Sequence, residues 1–193
     1  MTDSPYDGRS RTPAPIAGYG LLGDTRTAAL VSDDGAIDWM CVPRFDGESL
    51  FGRLVGGPLA GTFRAGPAGP ATLVERRYRQ HTTTLQTTWH TDGGRLTLTE
   101  AMVAEVAGRL LPAILLVRRL SAATGPVDAV IEFDPRLGAK HRPPEVRHDR
   151  TAVVCTWGPL AVSLTCAPEL TVAPGQTTTV TVEPGHPLTS CCP

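Results

Sequence analysis

Short runs of alternating apolar and polar residues recur along the chain, with turn-forming residues between them. Leu96 and Leu98, for example, alternate with Thr97 and Thr99. A period of two places the apolar side chains on one face of a β-strand and the hydroxyl groups on the other. Strands of this kind at close, regular spacing predict an all-β chain, folded as a large antiparallel β-sandwich over residues 16–185.

Hairpins are predicted where a short turn sequence separates two strand-like runs, because Gly, Pro and Asp fit a tight connection. The predicted turns fall at Asp34-Gly35, at 92–94, at 122–125 and at Gly158-Pro159. The threonine-rich run 177–182 predicts a strand that closes the series. The polar stretch 136–150 is either a long loop or the place where the chain crosses between sheets.

Four other segments complete the predicted organisation. Residues 46–55 have helical spacing of apolar residues and predict one short helix, with Asp46 as its N-cap. The polar, proline-bearing residues 1–15 predict a flexible tail, and residues 186–193 an irregular C-terminal end. The apolar run 110–117 is too short to span a bilayer and is expected to be a buried strand.

The segment GYGLLGD, residues 18–24, fits the glycine fingerprint of a dinucleotide-binding loop, and Asp38 follows at a distance suited to a ribose contact. That fingerprint needs a buried strand before the glycines and a helix after them. Here Pro13 and Pro15 precede the glycines, and a short apolar run with an Asp-Gly turn follows them. This context favours a glycine-rich turn that leads into a hairpin.

Composition argues against several classes of function. The chain has 18 Lys and Arg residues against 19 Asp and Glu residues, so no basic excess points to nucleic acid or to a membrane surface. The N-terminus lacks an apolar segment of signal-peptide length, which predicts a cytoplasmic protein.

The five cysteines and five histidines are scattered without a metal-ligand spacing. Cys41, Cys155 and Cys166 lie in apolar runs and are expected to be small buried residues. Cys191 and Cys192 are adjacent near the last residue. We therefore predict no metal and no other cofactor.

Residues 23–57, GDTRTAALVSDDGAIDWMCVPRFDGESLFGRLVGG, closely resemble the N-terminal domain of bacterial glycoside hydrolase family 15 proteins, which include trehalases and glucoamylase-like enzymes. Residues 76–102 and 115–137 resemble later blocks of the same domain more weakly. Gly47-Glu48 and Glu100-Ala101 depart from the family pattern, which has Ser-Pro and Asp-Phe there.

The resemblance implies a β-sandwich, of the supersandwich type, that precedes an α-helical (α/α)₆ barrel carrying the catalytic acid and base. Twelve helices with their connections need roughly 200 residues, and no helical pattern of that extent exists in this chain. We therefore expect a non-catalytic domain without its barrel, a truncated or split product. It would pack on the barrel and complete its sugar site, and it would meet trehalose or another α-glucoside only through that barrel.

Seven residues are placed by the resemblance on the loop face that is turned toward the barrel and its sugar pocket. Trp39 there is either a stacking surface for a sugar ring or a core residue, and Arg44 with Asp46 either binds sugar hydroxyls or forms an ion pair. No catalytic residue is expected among them, since the aspartates are also turn and cap formers. The candidate residues are Asp24, Arg26, Trp39, Pro43, Arg44, Phe45 and Asp46.

Two other functions remain open, a free-standing carbohydrate-binding module and a β-sandwich interaction protein without a catalytic partner. A surface row of the three tryptophans would favour the carbohydrate module. An exposed apolar patch beside the candidate loops would favour the barrel-docking domain. Trp39, Phe45, Leu50 and Phe51 are the expected apolar residues of that patch.

Overall fold

The alternating runs form two antiparallel sheets that pack face to face, so the predicted all-β sandwich is confirmed. The computed structural model describes residues 14–111, 113–149 and 151–192. The predicted tail, residues 1–15, therefore lies outside the described residues except for its last two. Within the described part of the chain, no helix is long and apolar enough to cross a membrane.

The first sheet has seven strands in the order β1-β2-β3-β5-β12-β16, with β4 paired to the end of β3. Its strands are β1 (Gly20–Gly23), β2 (Ala28–Val31), β3 (Ala36–Val42), β4 (Glu48–Phe51), β5 (Thr62–Pro67), β12 (Val127–Asp134) and β16 (Thr177–Val182).

The second sheet has eight strands in the order β13-β14-β15-β17-β11-β8-β7-β6. A separate two-stranded hairpin, β9 (Glu105–Val106) and β10 (Arg109–Leu110), lies between β8 and β11 in the chain. The strands of the second sheet are β6 (Ala71–Tyr78), β7 (Leu85–Thr91), β8 (Gly94–Met102), β11 (Leu116–Ala122), β13 (Glu145–His148), β14 (Ala152–Trp157), β15 (Leu160–Ala167) and β17 (Leu188–Cys192).

Three of the four predicted hairpins are confirmed, β2 with β3, β7 with β8, and β14 with β15. The hairpin predicted at residues 122–125 is wrong, because β11 belongs to the second sheet and β12 to the first. Both edges of β11 are already occupied, by β8 and by β17, and no edge is left for β12. The polar stretch 136–150 also crosses between the sheets and contains the short edge strand β13, while its last residue, Arg150, lies outside the described residues.

The glycine motif does not open a helix. Residues 20–23 form strand β1, which pairs with β2, and a 3-10 turn at Ile16–Gly18 precedes it. The chain continues from β1 through a turn directly into β2. The strand–loop–helix context of a dinucleotide site is therefore not formed at these glycines.

The helix predicted over residues 46–55 is confined to α1, Arg53–Gly56, and its N-cap is Gly52 instead of Asp46. The preceding residues form β4 because Leu50 and Phe51 are buried in the core and pair along the end of β3. The helical spacing of apolar residues was therefore produced by a buried strand followed by a single helical turn.

Two further expectations were wrong. The run 110–117 is not one buried strand, since Leu110 belongs to β10 and is 79 % exposed, while β11 begins only at Leu116. The C-terminal end, expected to be irregular, forms β17 in the interior of the second sheet between β15 and β11. This strand has only five residues, alternately buried and half-buried, and it is stabilised by pairing with β11 and β15, which lie elsewhere in the sequence.

Phenylalanine side chains fill the centre of the first sheet's inner face. The ring centroids of Phe63 and Phe133 are 5.3 Å apart in an edge-to-face arrangement. Phe51 lies 6.1 Å from each of them. These separations are those at which aromatic pairs attract one another beyond simple burial.

One ion pair is completely buried between the two sheets. Arg118 of β11 donates to the carboxylate of Glu100 on β8 at 2.8 Å. Its other nitrogens donate to the carbonyl oxygens of Phe63 and Gly35 in the first sheet, each at 2.6 Å. The guanidinium also lies 4.6 Å from the centre of the Phe63 ring. A single side chain of the second sheet thus binds two backbone segments of the first.

Gly35 can take part in this contact because of its conformation. Its φ is +77°, in the left-handed region, and an added Cβ would lie 2.1 Å from the Ala65 carbonyl oxygen. The turn therefore requires glycine on both conformational and steric grounds. Burial raises the pKa of Glu100 and the charge of Arg118 opposes that rise, so their attraction mainly offsets the cost of burying both ions.

Replacing Arg118 by methionine is expected to lower the free energy of unfolding by about 3–5 kcal/mol, because Glu100 is left buried without its counter-ion. Chemical denaturation of the purified chain measures this change. The double variant Glu100→Gln with Arg118→Met is expected to lose less than the sum of the two single variants. Strictly additive losses would contradict the coupling of the two side chains.

Candidate functional site

Several candidate residues lie on loops at one end of the sandwich, which we call the loop end. Antiparallel pairing brings the end of β1 beside the start of β2, and the end of β3 beside the starts of β2 and β4. In the second sheet, β8, β14 and β17 end where β11 and β15 begin. The loop end therefore includes the connections 24–27, 43–47, 103–111, 113–115 and 158–159.

Asp24 holds the first of these turns together. Its side chain is buried, and one carboxylate oxygen accepts the backbone N–H groups of Arg26 and Thr27, each at 2.9 Å. The other oxygen lies 3.3 Å from the Arg26 guanidinium. The Thr27 hydroxyl then donates to the carbonyl oxygen of Cys41 on β3 at 2.6 Å. The carboxylate acts here as a structural acceptor for the backbone.

Arg26 connects the Asp24 turn to two other loops. Its guanidinium donates to the Ala113 carbonyl oxygen at 2.8 Å, a contact that joins the two sheets at the loop end. Its own carbonyl oxygen accepts the backbone N–H of Phe45 at 3.0 Å. The family resemblance places Asp24, Arg26 and Phe45 on one loop face, and these contacts show that the three residues are adjacent in the structure.

Residues 43–46 form an exposed turn between β3 and β4. Arg44 and Asp46 are joined by an ion pair of 3.0 Å, with both side chains more than half exposed. The hydrogen bond from Arg44 is the main cause that lowers the pKa of Asp46. An exposed pair of this kind contributes little to stability, and water can replace either partner. Pro43 and Phe45 are exposed on the same turn.

Trp39 does not belong to this cluster of loops. It lies in the middle of β3 opposite Leu30 and is half-buried, while its neighbour Met40 is in the core. Trp89 is buried in the second sheet and donates to the Asp33 carbonyl oxygen at 2.9 Å. Trp157 lies at the end of β14 and donates to Arg142 at 2.9 Å. The three tryptophans thus do not form one surface row.

A cleft of about 200 Å³ opens between the two sheets at the loop end. We call it the end cleft. Most of its lining is apolar, and it includes residues of both sheets and of the loops that Arg26 connects. The lining residues are Arg26, Met40, Val42, Pro43, Leu50, Ala113, Ile114, Leu160, Ala161, Val162 and Cys192.

Exposed apolar side chains project from the same end. Phe45 is 68 % exposed on its turn, and Val106 and Leu110 are exposed on the β9–β10 hairpin. Leu50 and Phe51, which were also expected on an exposed patch, are instead buried in the core of this domain. The hairpin and the second-sheet wall of the cleft were missed from the sequence, because they lie far along the chain from the 23–57 block.

Burial disfavours the thiolate forms of the cysteines. Burial raises the pKa of Cys155 and of Cys166 to about 11, and that of Cys192 to about 12. All five cysteines are free thiols. Among the residues that the structure describes, no three His, Cys, Asp or Glu side chains are grouped closely enough to hold a metal ion.

The fold and the loop end together define a β-sandwich domain with a cleft and exposed loops at one end. A family model described as "Trehalase-like, N-terminal" matches residues 8–189. The chain therefore belongs to the trehalase-like N-terminal domain family. The match covers nearly the whole chain and includes all seven candidate residues.

Curated relatives are trehalases. The chain is 44 % identical over 89 residues to the trehalase of Mycolicibacterium smegmatis and 42 % identical over 89 residues to that of Mycobacterium tuberculosis, covering 46 % of this chain and 13 % of each relative. It is 28 % identical over 141 residues to the trehalase of Thermoplasma volcanium, covering 72 % of this chain and 22 % of that protein. The chain thus spans only a small part of these enzymes. No solved structure matches it.

The two aspartates of the loop end are expected to differ in importance. Asp24→Ala should lower the free energy of unfolding by about 1.5–3 kcal/mol, because it removes charge-assisted hydrogen bonds to two buried backbone donors. The matched variant Asp46→Ala should leave stability almost unchanged, since its pair with Arg44 is exposed. Denaturation curves and amide exchange at Thr27 and Phe45 measure the difference. Equal losses in the two variants would contradict the role given to Asp24.

Proposed function

We propose that this chain is a non-catalytic N-terminal domain of a trehalase- or glucoamylase-like hydrolase of glycoside hydrolase family 15. In this proposal, its loop end packs against an α-helical catalytic barrel and completes the rim of the sugar site. In the family, the barrel belongs to the same chain.

The single observation that carries the proposal is a cleft with mostly apolar walls that opens at the end of the sandwich where apolar side chains are also exposed. Phe45 and Leu110 are 68 and 79 % exposed at the loop end, beside an apolar opening between the sheets. Exposed apolar groups grouped around a concave site are typical of a surface that binds another protein or domain. Domain interfaces within one chain bury roughly 600–1,500 Å².

The loops of this end are also held in place before any partner binds. The buried carboxylate of Asp24 fixes one turn, and Arg26 links that turn to Phe45 and to Ala113. Preorganised loops lose less conformational entropy on association. The exposed Arg44 and Asp46 are free to exchange their mutual contact for sugar hydroxyls at the rim, which is the role we assign to them.

The chemistry of glycoside hydrolysis supports a non-catalytic role. Inverting hydrolysis needs one carboxylic acid and one carboxylate placed on opposite sides of the scissile bond. Asp24 is engaged by the backbone donors of Arg26 and Thr27, and the exposed pair of Asp46 with Arg44 is assigned here to sugar hydroxyls. We therefore assign the acid and the base to the barrel.

A free-standing carbohydrate-binding module is the second candidate, and it is less well supported. Such a module commonly presents aromatic faces to a sugar chain, whereas the three tryptophans here lie in separate places. Half-buried Trp39 is the one tryptophan on the first sheet and would have to act alone.

The purified chain is expected to release no glucose from trehalose or from maltose, because the proton donor and acceptor of the reaction are assigned to the barrel. A coupled glucose assay measures this. Activity that disappears in Asp24→Asn or Asp46→Asn would contradict the proposal and place a catalytic acid in this domain.

The chain is expected to bind the barrel portion of a family trehalase in size-exclusion chromatography and calorimetry. Leu110→Ser should weaken that binding at least tenfold, because it removes an apolar contact from the loop end. The matched control is Leu73→Ser on the exposed strand β6, which should bind as the unaltered chain does. Equal weakening by both variants would contradict docking through the loop end.

A further inference from the structure

The end cleft differs from the surface around it in the chemistry of its walls. Met40, Val42 and Leu50 line it from the first sheet, and Leu160 and Val162 from the second. All five present hydrocarbon or thioether groups, and Ile114 adds another at the mouth. A sugar ring has many hydroxyl groups, and a wall of this composition would leave them without hydrogen-bond partners.

Arg26 is the one charged side chain among the described lining residues, and its guanidinium is already engaged. It lies 3.3 Å from the Asp24 carboxylate and donates to the Ala113 carbonyl oxygen at 2.8 Å. Its charge is thus neutralised locally at the rim. The interior of the end cleft consequently disfavours a charged ligand and favours an apolar one.

The volume limits the size of the occupant. The end cleft holds about 200 Å³, and an apolar protein cavity of about 150 Å³ is known to stay dry and to accept benzene or xenon. One aromatic ring or one branched aliphatic side chain therefore fits. An entire helix or strand does not fit, since a helix with its side chains is about 10–12 Å in diameter.

We propose that the end cleft is a socket for one large apolar side chain, aromatic or leucine-like, presented by the catalytic barrel. This inference rests on the proposed function and names the anchor of that interface. Apolar anchors in pockets surrounded by less buried contacts are the usual energetic centres of protein interfaces. The socket shares Pro43 with the turn that carries exposed Phe45, and Leu110 is exposed on the hairpin that precedes the lining residues Ala113 and Ile114.

The location at the boundary between the sheets explains why a socket persists there. Leu160 and Val162 belong to β15, whereas Met40 and Val42 belong to β3, and Arg26 bridges the sheets at the mouth. The bridge ties the two walls together at one side and leaves the space between them unfilled. An apolar side chain entering from outside would bury wall area worth roughly 25 cal/mol per Å².

A small apolar probe tests the socket in the chain alone. Indole titrated into the methyl-labelled chain should shift the methyl resonances of Ile114, Leu160 and Val162 selectively, with a dissociation constant in the millimolar range. Methyl groups of Val74, on edge strand β6 at the opposite side of the second sheet, serve as the internal control and should not shift. Absent or indiscriminate shifts would overturn the apolar socket.

Filling the socket tests its occupant. Val162→Phe should weaken barrel binding at least tenfold without lowering the folded chain's stability, because the new ring takes the place of the partner's side chain. Ala113→Trp closes the exposed mouth and should have the same effect even if the interior substitution disturbs folding. Val74→Phe on β6, the matched control, should bind like the unaltered chain.

The outcomes separate the two proposals. If the unaltered chain binds the barrel and the two filling variants bind equally tightly, the socket is wrong and the docking function stands. If the unaltered chain does not bind the barrel at all, the proposed function itself is wrong. Selective loss in the filling variants supports both.

Discussion

The interior of the sandwich depends on the buried guanidinium of Arg118. Three of its contacts are hydrogen bonds to oxygens on different segments, namely Glu100, Phe63 and Gly35, and a fourth is the Phe63 ring. A buried cation is tolerated only when its donors are matched, so the sheets cannot slide relative to one another without leaving it unpaired. Apolar packing alone is not directional and would accept several such offsets.

The loop end uses the same principle with the opposite charge. Asp24 is a buried anion satisfied by backbone N–H groups, as Arg118 is a buried cation satisfied by carbonyl oxygens. Each ion fixes the backbone around it and leaves nearby side chains available for other roles. This is how Phe45 can stand exposed on a turn whose backbone is held by Arg26.

Turns that depend on neighbouring residues could be predicted from the sequence. Strand positions that depend on pairing between distant segments could not. The Asp34-Gly35 hairpin could be foreseen because its turn residues act over four positions of the chain. The placement of β17 between β15 and β11 could not, since its register is decided by strands distant in sequence. The candidate site divides in the same way. Asp24, Arg26 and Phe45 lie close together in the chain and in space, whereas Leu160 reaches the end cleft only through the packing of the second sheet.

Sheet edges are the other surfaces through which a β-sandwich can associate. On the side of the molecule where β1 and β6 form the edges, side-chain hydrogen bonds hinder the addition of another strand. Arg76 of edge strand β6 donates to the carbonyl oxygens of Gly18 and Val31, and the Tyr78 hydroxyl bonds both the N–H and the carbonyl oxygen of Leu21. These side chains join the edges of the two sheets and occupy backbone groups that an added strand would need. On the other side, β13 is short and carries charged residues, which also disfavours pairing. Association through these edges is thereby hindered, which leaves the β16 edge of the first sheet and the exposed apolar groups of the loop end as routes to a partner.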